Sequence, residues 1–239
     1  MNILLTSVTT DQVRAEVRVP GGHRLTAFSE HLEKPSDFFE WCHKWYADKD
    51  LDIRSHFTCF PLQSVQLISQ TDRAHYISKW GKYVRFYQWH NQPDYLLAYV
   101  DYLHHQKNAD HKVNQYQIPL LPLLYQEWLG HTHNTLEHEA ILYIGGEQMS
   151  LALFQGSNLL NQATIQFRSA EDILYYYLFS LDQFSIKPES CASYLLGPRA
   201  AENEIVDLFE EQTQLNQDFL GSSGDADRLD LKLLWKCAS

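Results

Sequence analysis

Apolar residues dominate three short segments that follow one another in the second half of the chain. They predict β-strands over residues 139–144, 148–154 and 159–167. Gly145-Gly146 separates the first two segments, and Gly156-Ser157-Asn158 separates the second from the third. Because glycine adopts positive φ at no steric cost, both breaks are typical of tight hairpin turns. The pattern therefore predicts a three-stranded antiparallel meander.

Alternating helical and strand patterns follow this meander. The spacing of apolar residues predicts a helix over 169–184, a buried strand over 192–196 that runs into Gly197-Pro198, and a helix over 201–212. Alternating leucines then predict a closing strand over 229–233. The second half thus has the predicted order β-β-β-α-β-α-β.

The first half begins with a similar order. Apolar alternation predicts two strands within residues 3–19 and a third over 25–28. A helix begins near Asp37, and a strand follows over 56–60. Because β-β-β-α-β occurs twice, the chain is predicted to be a duplicated α/β protein.

The segments between these two runs have weaker patterns, and a polar break over 130–135 ends them. This break predicts a boundary between a first half, 1–133, and a second half, 134–239. The other predictions for this region are a short helix after Pro61, a helix over 74–83, a strand over 83–89, a strand or helix over 95–105, a strand over 114–118 and a helix over 119–128.

Composition and charge exclude several classes of protein. The chain of 239 residues has a net charge of −11 and no run of Lys and Arg, which argues against binding to nucleic acid or to an anionic membrane surface. No stretch approaches the roughly 20 apolar residues that span a bilayer, and the amino terminus lacks the pattern of a signal peptide. Four widely separated cysteines form no CxxC pair, so we expect a reduced, cytoplasmic protein.

The stretch LYIGGEQMSLALF at 142–154 resembles a hairpin of the actin-like ATPases, the class that includes actin, sugar kinases and heat-shock chaperones. In that fold each half begins with a meander whose first turn holds ATP phosphates. YLLGP at 194–198, followed by a helix, is similar to the loop that holds adenosine. The resemblance implies an α/β actin-like ATPase fold with two similar lobes. Nucleotide contacts would lie in the interlobe cleft, at Gly145, Gly146, Glu147, Gln148 and Gly197.

Residues 136–212 resemble more closely an uncharacterised bacterial family that has an actin-like fold and no assigned activity. Several positions depart from the pattern of active ATPases. Tyr143 and Ser150 stand where the active proteins carry aspartates, and Pro198 stands in the adenosine loop. The first turn of the first half, within 4–11, has no glycine and no carboxylate at the end of its strand. The resemblance therefore implies a degenerate ATP site and no ATP hydrolysis by the usual route.

The favoured hypothesis is a non-catalytic interaction or scaffold protein with protein partners and no resident cofactor. The alternative is a nucleotide-binding ATPase or switch that binds ATP with Mg²⁺ in the interlobe cleft. Under the first hypothesis Gly145-Gly146 is a tight hairpin and Glu147 a solvated charge; under the second they form a phosphate-binding turn. Oligomeric state is left open.

Other candidate chemistry is weaker. The histidine clusters lack the paired spacing typical of metal sites, so no metal site is assigned at His131, His133 and His138 or at His104, His105 and His111. No motif of nucleophilic catalysis occurs, and no catalytic residue is assigned. The aromatic run at 175–184 is too dense for one helix face, which leaves two readings, ordinary packing or a surface for a partner.

Overall fold

The structure, a computed structural model, describes residues 2–9, 12–32, 37–48, 50–60, 65–88, 94–101, 113–121, 123–124, 136–215 and 229–238. The chain divides into two compact units. Unit 1 is drawn from 1–61, 101–123 and 230–239, and unit 2 from 62–100 and 124–229. The predicted boundary between 1–133 and 134–239 lies outside the described residues and stays a prediction.

Strands and helices occur in both units. The strands are β1 (Asn2–Val8), β2 (Gln12–Arg18), β3 (Arg24–His31), β4 (Ile53–Cys59), β5 (Gln66–Ser69), β6 (Val84–Gln88), β7 (Tyr95–Val100), β8 (Asn114–Gln117), β9 (His138–Gly145), β10 (Gln148–Gln155), β11 (Asn158–Gln166), β12 (Cys191–Leu196) and β13 (Gln214–Leu215). The helices are α1 (Asp37–Ala47), α2 (Arg73–Trp80), α3 (Ala170–Gln183), α4 (Asn203–Gln212) and α5 (Leu229–Ala238). Within the described ranges, no helix is long and apolar enough to cross a lipid bilayer.

The main sheets of the two units have the same strand order. In unit 1 the order is β3-β2-β1-β4-β8, and in unit 2 it is β11-β10-β9-β12-β13. The first three strands of each sheet pair antiparallel, and the remaining strands pair parallel. The duplicated α/β architecture predicted from the sequence is therefore confirmed.

Each main sheet packs one face against helices. In unit 1, alternate residues of β1 and β2 form a buried cluster with α1: Leu4, Val8, Val13, Ala15, Val17, Phe38, Trp41 and Cys42. In unit 2, alternate residues of β9 and β10 form a cluster with α3 and α4: Ala140, Leu142, Ile144, Met149, Leu151, Leu153, Ile173, Tyr177, Ile205 and Phe209. This leaves the other residues of β9 and β10, Tyr143 among them, on the opposite face.

A third sheet, of order β5-β7-β6, lies in unit 2 with α2 beside it. Its strand β5 stands at 66–69, within the stretch after Pro61 where the sequence predicted a short helix, and residues 61–64 lie outside the described ranges. The strand or helix predicted over 95–105 is the strand β7 as far as Val100.

The carboxyl-terminal segment corrects a prediction, because residues 229–238 form the helix α5 and not a strand. Three alternating leucines suggested a strand, but Leu231, Leu234 and Trp235 recur at helical spacing. Leu231 and Leu234 are buried, and the Trp235 ring lies 5.2 Å from the Arg18 guanidinium. The helix thus buries its leucines and brings Trp235 to Arg18.

Buried polar side chains surround His56 in unit 1. The Oγ1 atoms of Thr6 and Thr58 lie 2.7 and 2.8 Å from His56 Nε2. The Tyr46 hydroxyl contacts His56 Nδ1 and accepts a hydrogen bond of 3.0 Å from Gln115 Nε2. This network joins β1, β4, β8 and α1.

Burial keeps this network uncharged. Desolvation lowers the pKa of His56 to about 3, so the imidazole is neutral near pH 7. Burial, with the neighbouring Cys42, raises the pKa of Tyr46 far above its ordinary value. Neutral hydrogen-bonded groups are the form in which polar side chains are least costly to bury.

Candidate functional site

The residues predicted to contact a nucleotide lie together at one edge of the unit 2 sheet. Strands β9 and β12 run parallel, and both end at this edge. Gly145 closes β9, Gln148 opens β10, and Gly197 directly follows β12. In open α/β sheets, ligands bind outside the carboxyl ends of parallel strands. The structure thus brings the predicted residues to the edge where the fold would place a ligand, and their contact with one stays a prediction.

The β9–β10 connection is a two-residue turn. Gly145 pairs with Gln148, so only Gly146 and Glu147 lie outside the ladder. Gly146 has φ of 55°, whereas no positive φ is recorded for Glu147. This combination fits a type II′ hairpin, in which glycine occupies the first central position. A turn this short offers at most two backbone N–H groups beyond the ladder, and the exposed Glu147 places a carboxylate on it.

Glycine is required at position 197 because two backbone segments approach each other closely there. Its φ is 98°, and a Cβ placed on it would lie 2.4 Å from the carbonyl oxygen of Ile144. No side chain fits this gap without moving β9 or the turn after β12. The need for glycine at this position is therefore explained by packing within the sheet edge.

Arg199 joins the two turns and was not singled out from the sequence. Its Nη1 donates to the Gly146 carbonyl at 2.7 Å, and its Nε and Nη2 donate to the two carboxylate oxygens of Glu202 at 2.7 Å each. The guanidinium also lies 5.2 Å from the Phe167 ring centroid. The hydrogen bonds from Arg199 lower the pKa of Glu202, which favours the ionised pair. A cation thus stands at the hairpin turn and is neutralised within the protein.

The backbone of the turn after β12 is also engaged. Pro198 has no N–H group, the Arg199 N–H donates to the Ile144 carbonyl at 3.3 Å, and the Ala200 N–H donates to the Gly197 carbonyl at 3.2 Å. On the neighbouring hairpin, the Glu147 carbonyl accepts a hydrogen bond of 3.0 Å from the Phe167 N–H. In the turn after β12, residues 198–200 therefore have no backbone N–H group free to bind a ligand in this conformation.

Replacing Arg199 by alanine is expected to lower the free energy of unfolding by about 1.5–3 kcal/mol, because a hydrogen bond to the Gly146 carbonyl, the Glu202 pair and the Phe167 contact are lost together. Urea denaturation followed by circular dichroism measures this change. Arg54→Ala is a matched control, since Arg54 and Asp52 form an exposed pair at 2.7 Å. We expect a change below about 1 kcal/mol for the control. Equal effects of the two substitutions would contradict the role of Arg199 as a link between the turns.

Tyr143 and Ser150 face each other on β9 and β10, at the positions where the resemblance implies aspartates. The Tyr143 side chain is 2% exposed, so its ring fills space on the sheet face opposite α3 and α4. Ser150 is partly buried and carries no charge at neutral pH. This pair supplies no carboxylate to hold a divalent metal or to orient a water molecule.

The corresponding hairpin of unit 1 joins β1 to β2. Thr10 and Asp11 lie outside the described residues, and the ladder closes before them with Thr9, whose N–H donates to the Gln12 carbonyl at 2.9 Å. Ser7 is buried, and the Thr6 hydroxyl belongs to the His56 network. Among the described residues at this end of β1, 6–9, the structure therefore places buried hydroxyl groups and no carboxylate.

Other chemistry in the described residues is limited. No group of three or more His, Cys, Asp or Glu residues in the described ranges is arranged to hold a metal ion. Of the histidine clusters, only His138 lies within these ranges. A cavity of about 360 Å³ opens beside α2, and its basic lining residues are Arg73, Lys82 and Arg85. None of the predicted nucleotide contacts lines this cavity.

Two buried thiols are unsuited to catalysis. Cys42 and Cys191 are free and buried. Burial raises the pKa of Cys191 to about 12 and that of Cys42 still further. The reactive thiolate is therefore scarce near pH 7 at both positions, and the two cysteines act as packing residues.

The duplicated sheet, with its paired turns at the strand ends, defines the class of the protein. A protein with actin-like ATPase fold and unknown function from Bacteroides thetaiotaomicron matches with a TM-score of 0.74 and 11% identity, over 99% of this chain and 96% of that one. The PilM–PilN type IV pilus biogenesis complex matches with a TM-score of 0.61 and 11% identity, over 90% and 87% of the two chains. AlfA from the B. subtilis plasmid pLS32, solved as a filament, matches with a TM-score of 0.53 and 7% identity, over 99% of this chain and 98% of that one. The chain has the actin-like ATPase fold.

Residues 109–212 match the model for a protein of unknown function, DUF3822. The match spans less than half of the chain and includes the β9–β10 hairpin, α3, β12 and α4. The resemblance to an uncharacterised family with this fold is therefore confirmed. A comparison with curated proteins finds no match.

Proposed function

We propose that the protein is a non-catalytic interaction or scaffold protein that retains the actin-like fold without its ATP chemistry. The observation that carries this proposal is the guanidinium of Arg199, which binds the Gly146 carbonyl and Glu202 at the edge where phosphates would be held. Here a protein cation links the two turns, and its charge is matched by a protein carboxylate.

The chemistry of phosphoryl transfer supports the same conclusion. Such reactions depend on a bound divalent metal and on backbone N–H groups that surround the phosphates. Tyr143 and Ser150 provide no metal ligand of the carboxylate type, and Glu147 would repel a phosphate at the turn. The donors at 198–200 are absent or engaged within the fold. Binding and hydrolysis of ATP would each require this edge to rearrange.

A fold relative supports the interaction role by analogy. The matching structure is that of the PilM–PilN type IV pilus biogenesis complex, so a chain with this fold occurs there in a protein complex. Fold alone does not determine function, so this likeness adds weight only beside the geometry of the turns. It favours protein partners over a small-molecule substrate for this chain.

A thermal-shift assay with Mg-ATP and with Mg-ADP at millimolar concentration tests the proposal. We expect the melting temperature to change by less than about 1 °C, because a ligand that does not bind the folded state does not stabilise it. Binding at 100 times its Kd would add about 2.7 kcal/mol, or roughly 5–10 °C for a chain of this size.

Magnesium tripolyphosphate at the same concentration is the control for anions that bind elsewhere, such as at the basic cavity beside α2. A shift of several degrees with ATP that tripolyphosphate does not reproduce would contradict the proposal. It would favour the alternative, a nucleotide-binding switch that uses Gly145, Gly146, Glu147, Gln148 and Gly197.

A further inference from the structure

The solvent face of α3 carries two aromatic side chains. Tyr175 is 61% exposed and Phe179 is 48% exposed. They lie one helical turn apart, with ring centroids 6.2 Å from each other and ring planes within 14° of parallel. We call these two residues the α3 aromatic pair. Two large rings with this much of their surface in water are unusual on one face of a helix.

Packing of the core does not require the pair. The buried side of α3 is formed by Ala170, Ile173, Tyr177, Ser180 and Leu181. At 100° per residue, Tyr175 lies nearly opposite the centre of this buried side. An amphipathic helix ordinarily carries polar residues there, so the pair needs an explanation outside the fold of unit 2.

The exposed side of α3 that carries the pair also carries acidic residues. Glu171 and Asp182 are exposed and lie on the same side of α3 as Tyr175. The helix has three acidic residues and no Lys or Arg, and α4, which packs against it, has four and no Lys or Arg. In sequence, the flanking basic residues are Arg168, Lys187 and Arg199, and Arg199 is paired with Glu202.

We propose that the α3 aromatic pair and the acidic residues of α3 and α4 form a docking surface for an amphipathic, Lys- or Arg-bearing helix of a partner protein. This inference rests on the proposed interaction function and names the surface and the chemistry of the partner. Apolar side chains of the partner cover the two rings, and its cations meet the acidic residues and the ring faces. The 14 residues of α3 span about 21 Å, which sets the length of a matching helix.

Charge favours a basic partner helix on this surface over a second copy of the chain or an anionic membrane. A second copy of the chain docked through the same face would place acidic residues against acidic residues, because a two-fold contact brings the same patch together. An anionic membrane would be repelled for the same reason. A basic partner helix gains from both the rings and the charges.

The test uses a fluorescein-labelled 14-residue peptide built of Leu and Lys, with leucines along one helix face, and the full chain. Fluorescence anisotropy should show saturable binding that weakens between 50 and 300 mM NaCl. The double substitution Tyr175→Ala with Phe179→Ala should weaken it about tenfold or more, because exposed aromatic anchors dominate such contacts. Glu171→Gln with Asp182→Asn should weaken it about threefold.

Tyr95→Ala is the matched control, since Tyr95 is an exposed aromatic residue of unit 2 outside α3, and it should leave affinity unchanged. A scrambled peptide of the same composition controls for attraction to the net charge of −11. Equal binding of both peptides, or equal binding by the double alanine variant, would overturn the proposal. So would a wild-type dimer in sedimentation that the double variant abolishes, since the occupant is then a second copy.

The surface and the proposed function can fail separately. Equal binding of the amphipathic and scrambled peptides, with no thermal shift in Mg-ATP, would contradict the docking surface and leave the proposed function in place. If peptide binding depends on Tyr175 and Phe179 and Mg-ATP also gives a specific thermal shift, the docking surface is supported. The proposal that the protein does not bind ATP is then contradicted.

Discussion

Replacing Gly197 by alanine is expected to lower the free energy of unfolding by about 3–5 kcal/mol, or to prevent folding. Two effects combine. Alanine is strained at a φ of 98°, and its Cβ would lie 2.4 Å from the Ile144 carbonyl oxygen, a backbone atom that moves only if β9 moves. Urea denaturation at pH 7 measures the change, and the yield of soluble protein reports it where the variant does not fold.

Gly156→Ala separates the two effects. Gly156 also has a positive φ, 53°, but a Cβ there would meet no atom within 4 Å. The control should therefore show only the cost of the left-handed backbone, about 1 kcal/mol. Similar losses in the two variants would contradict a close approach at Gly197. The comparison also bears on the sequence resemblance, because a glycine kept only for adenosine would lose no more stability on replacement by alanine than Gly156 does.

Local patterns in the sequence were sufficient to predict the three-stranded meander of unit 2. The strands predicted over 139–144, 148–154 and 159–167 match β9, β10 and β11 to within one residue at each end. The prediction succeeded because glycine turns separate the three strands, and such turns set the local backbone conformation. The fold class followed from the order of elements and from the resemblance together.

The link through Arg199 could not be predicted in the same way. Arg199 and Gly146 are 53 residues apart, and no periodic pattern relates them. The one local signal was the i,i+3 spacing of Arg199 and Glu202, which indicates an ion pair but says nothing of the turn it joins. The His56 network was missed for the same reason, since its members come from four elements. The helix α5 was missed because three alternating leucines satisfy a strand pattern over too short a window.

Acidification is expected to destabilise the protein through His56. The imidazole has a pKa of about 3 in the folded protein, because burial disfavours its charged form, against about 6.5 in an unfolded chain. Between these two values the unfolded state binds a proton that the folded state does not. The contribution of His56 to the free energy of unfolding is therefore constant above about pH 6.5. Between pH 6.5 and about pH 3 it decreases by about 1.4 kcal/mol for each unit by which the pH drops.

The measurement is urea denaturation at pH 7, 6, 5 and 4 for the wild type and for His56→Gln. Glutamine keeps an amide that can bond the hydroxyls of Thr6 and Thr58 but does not titrate. We expect the wild type to be the more stable protein at pH 7, and its advantage to shrink by about 3 kcal/mol at pH 4. Comparison of the two proteins removes the contribution of the carboxylates, which both share.

His75→Gln is the control for loss of a histidine, because His75 is exposed on α2, outside the His56 network. Its stability should follow the wild type at every pH. Parallel curves for the wild type and His56→Gln would show that the imidazole is protonated in the folded protein or accessible to water. A neutral His56 that joins β1, β4, β8 and α1 would then be excluded. A shrinking difference would instead show that an uncharged polar network stabilises unit 1.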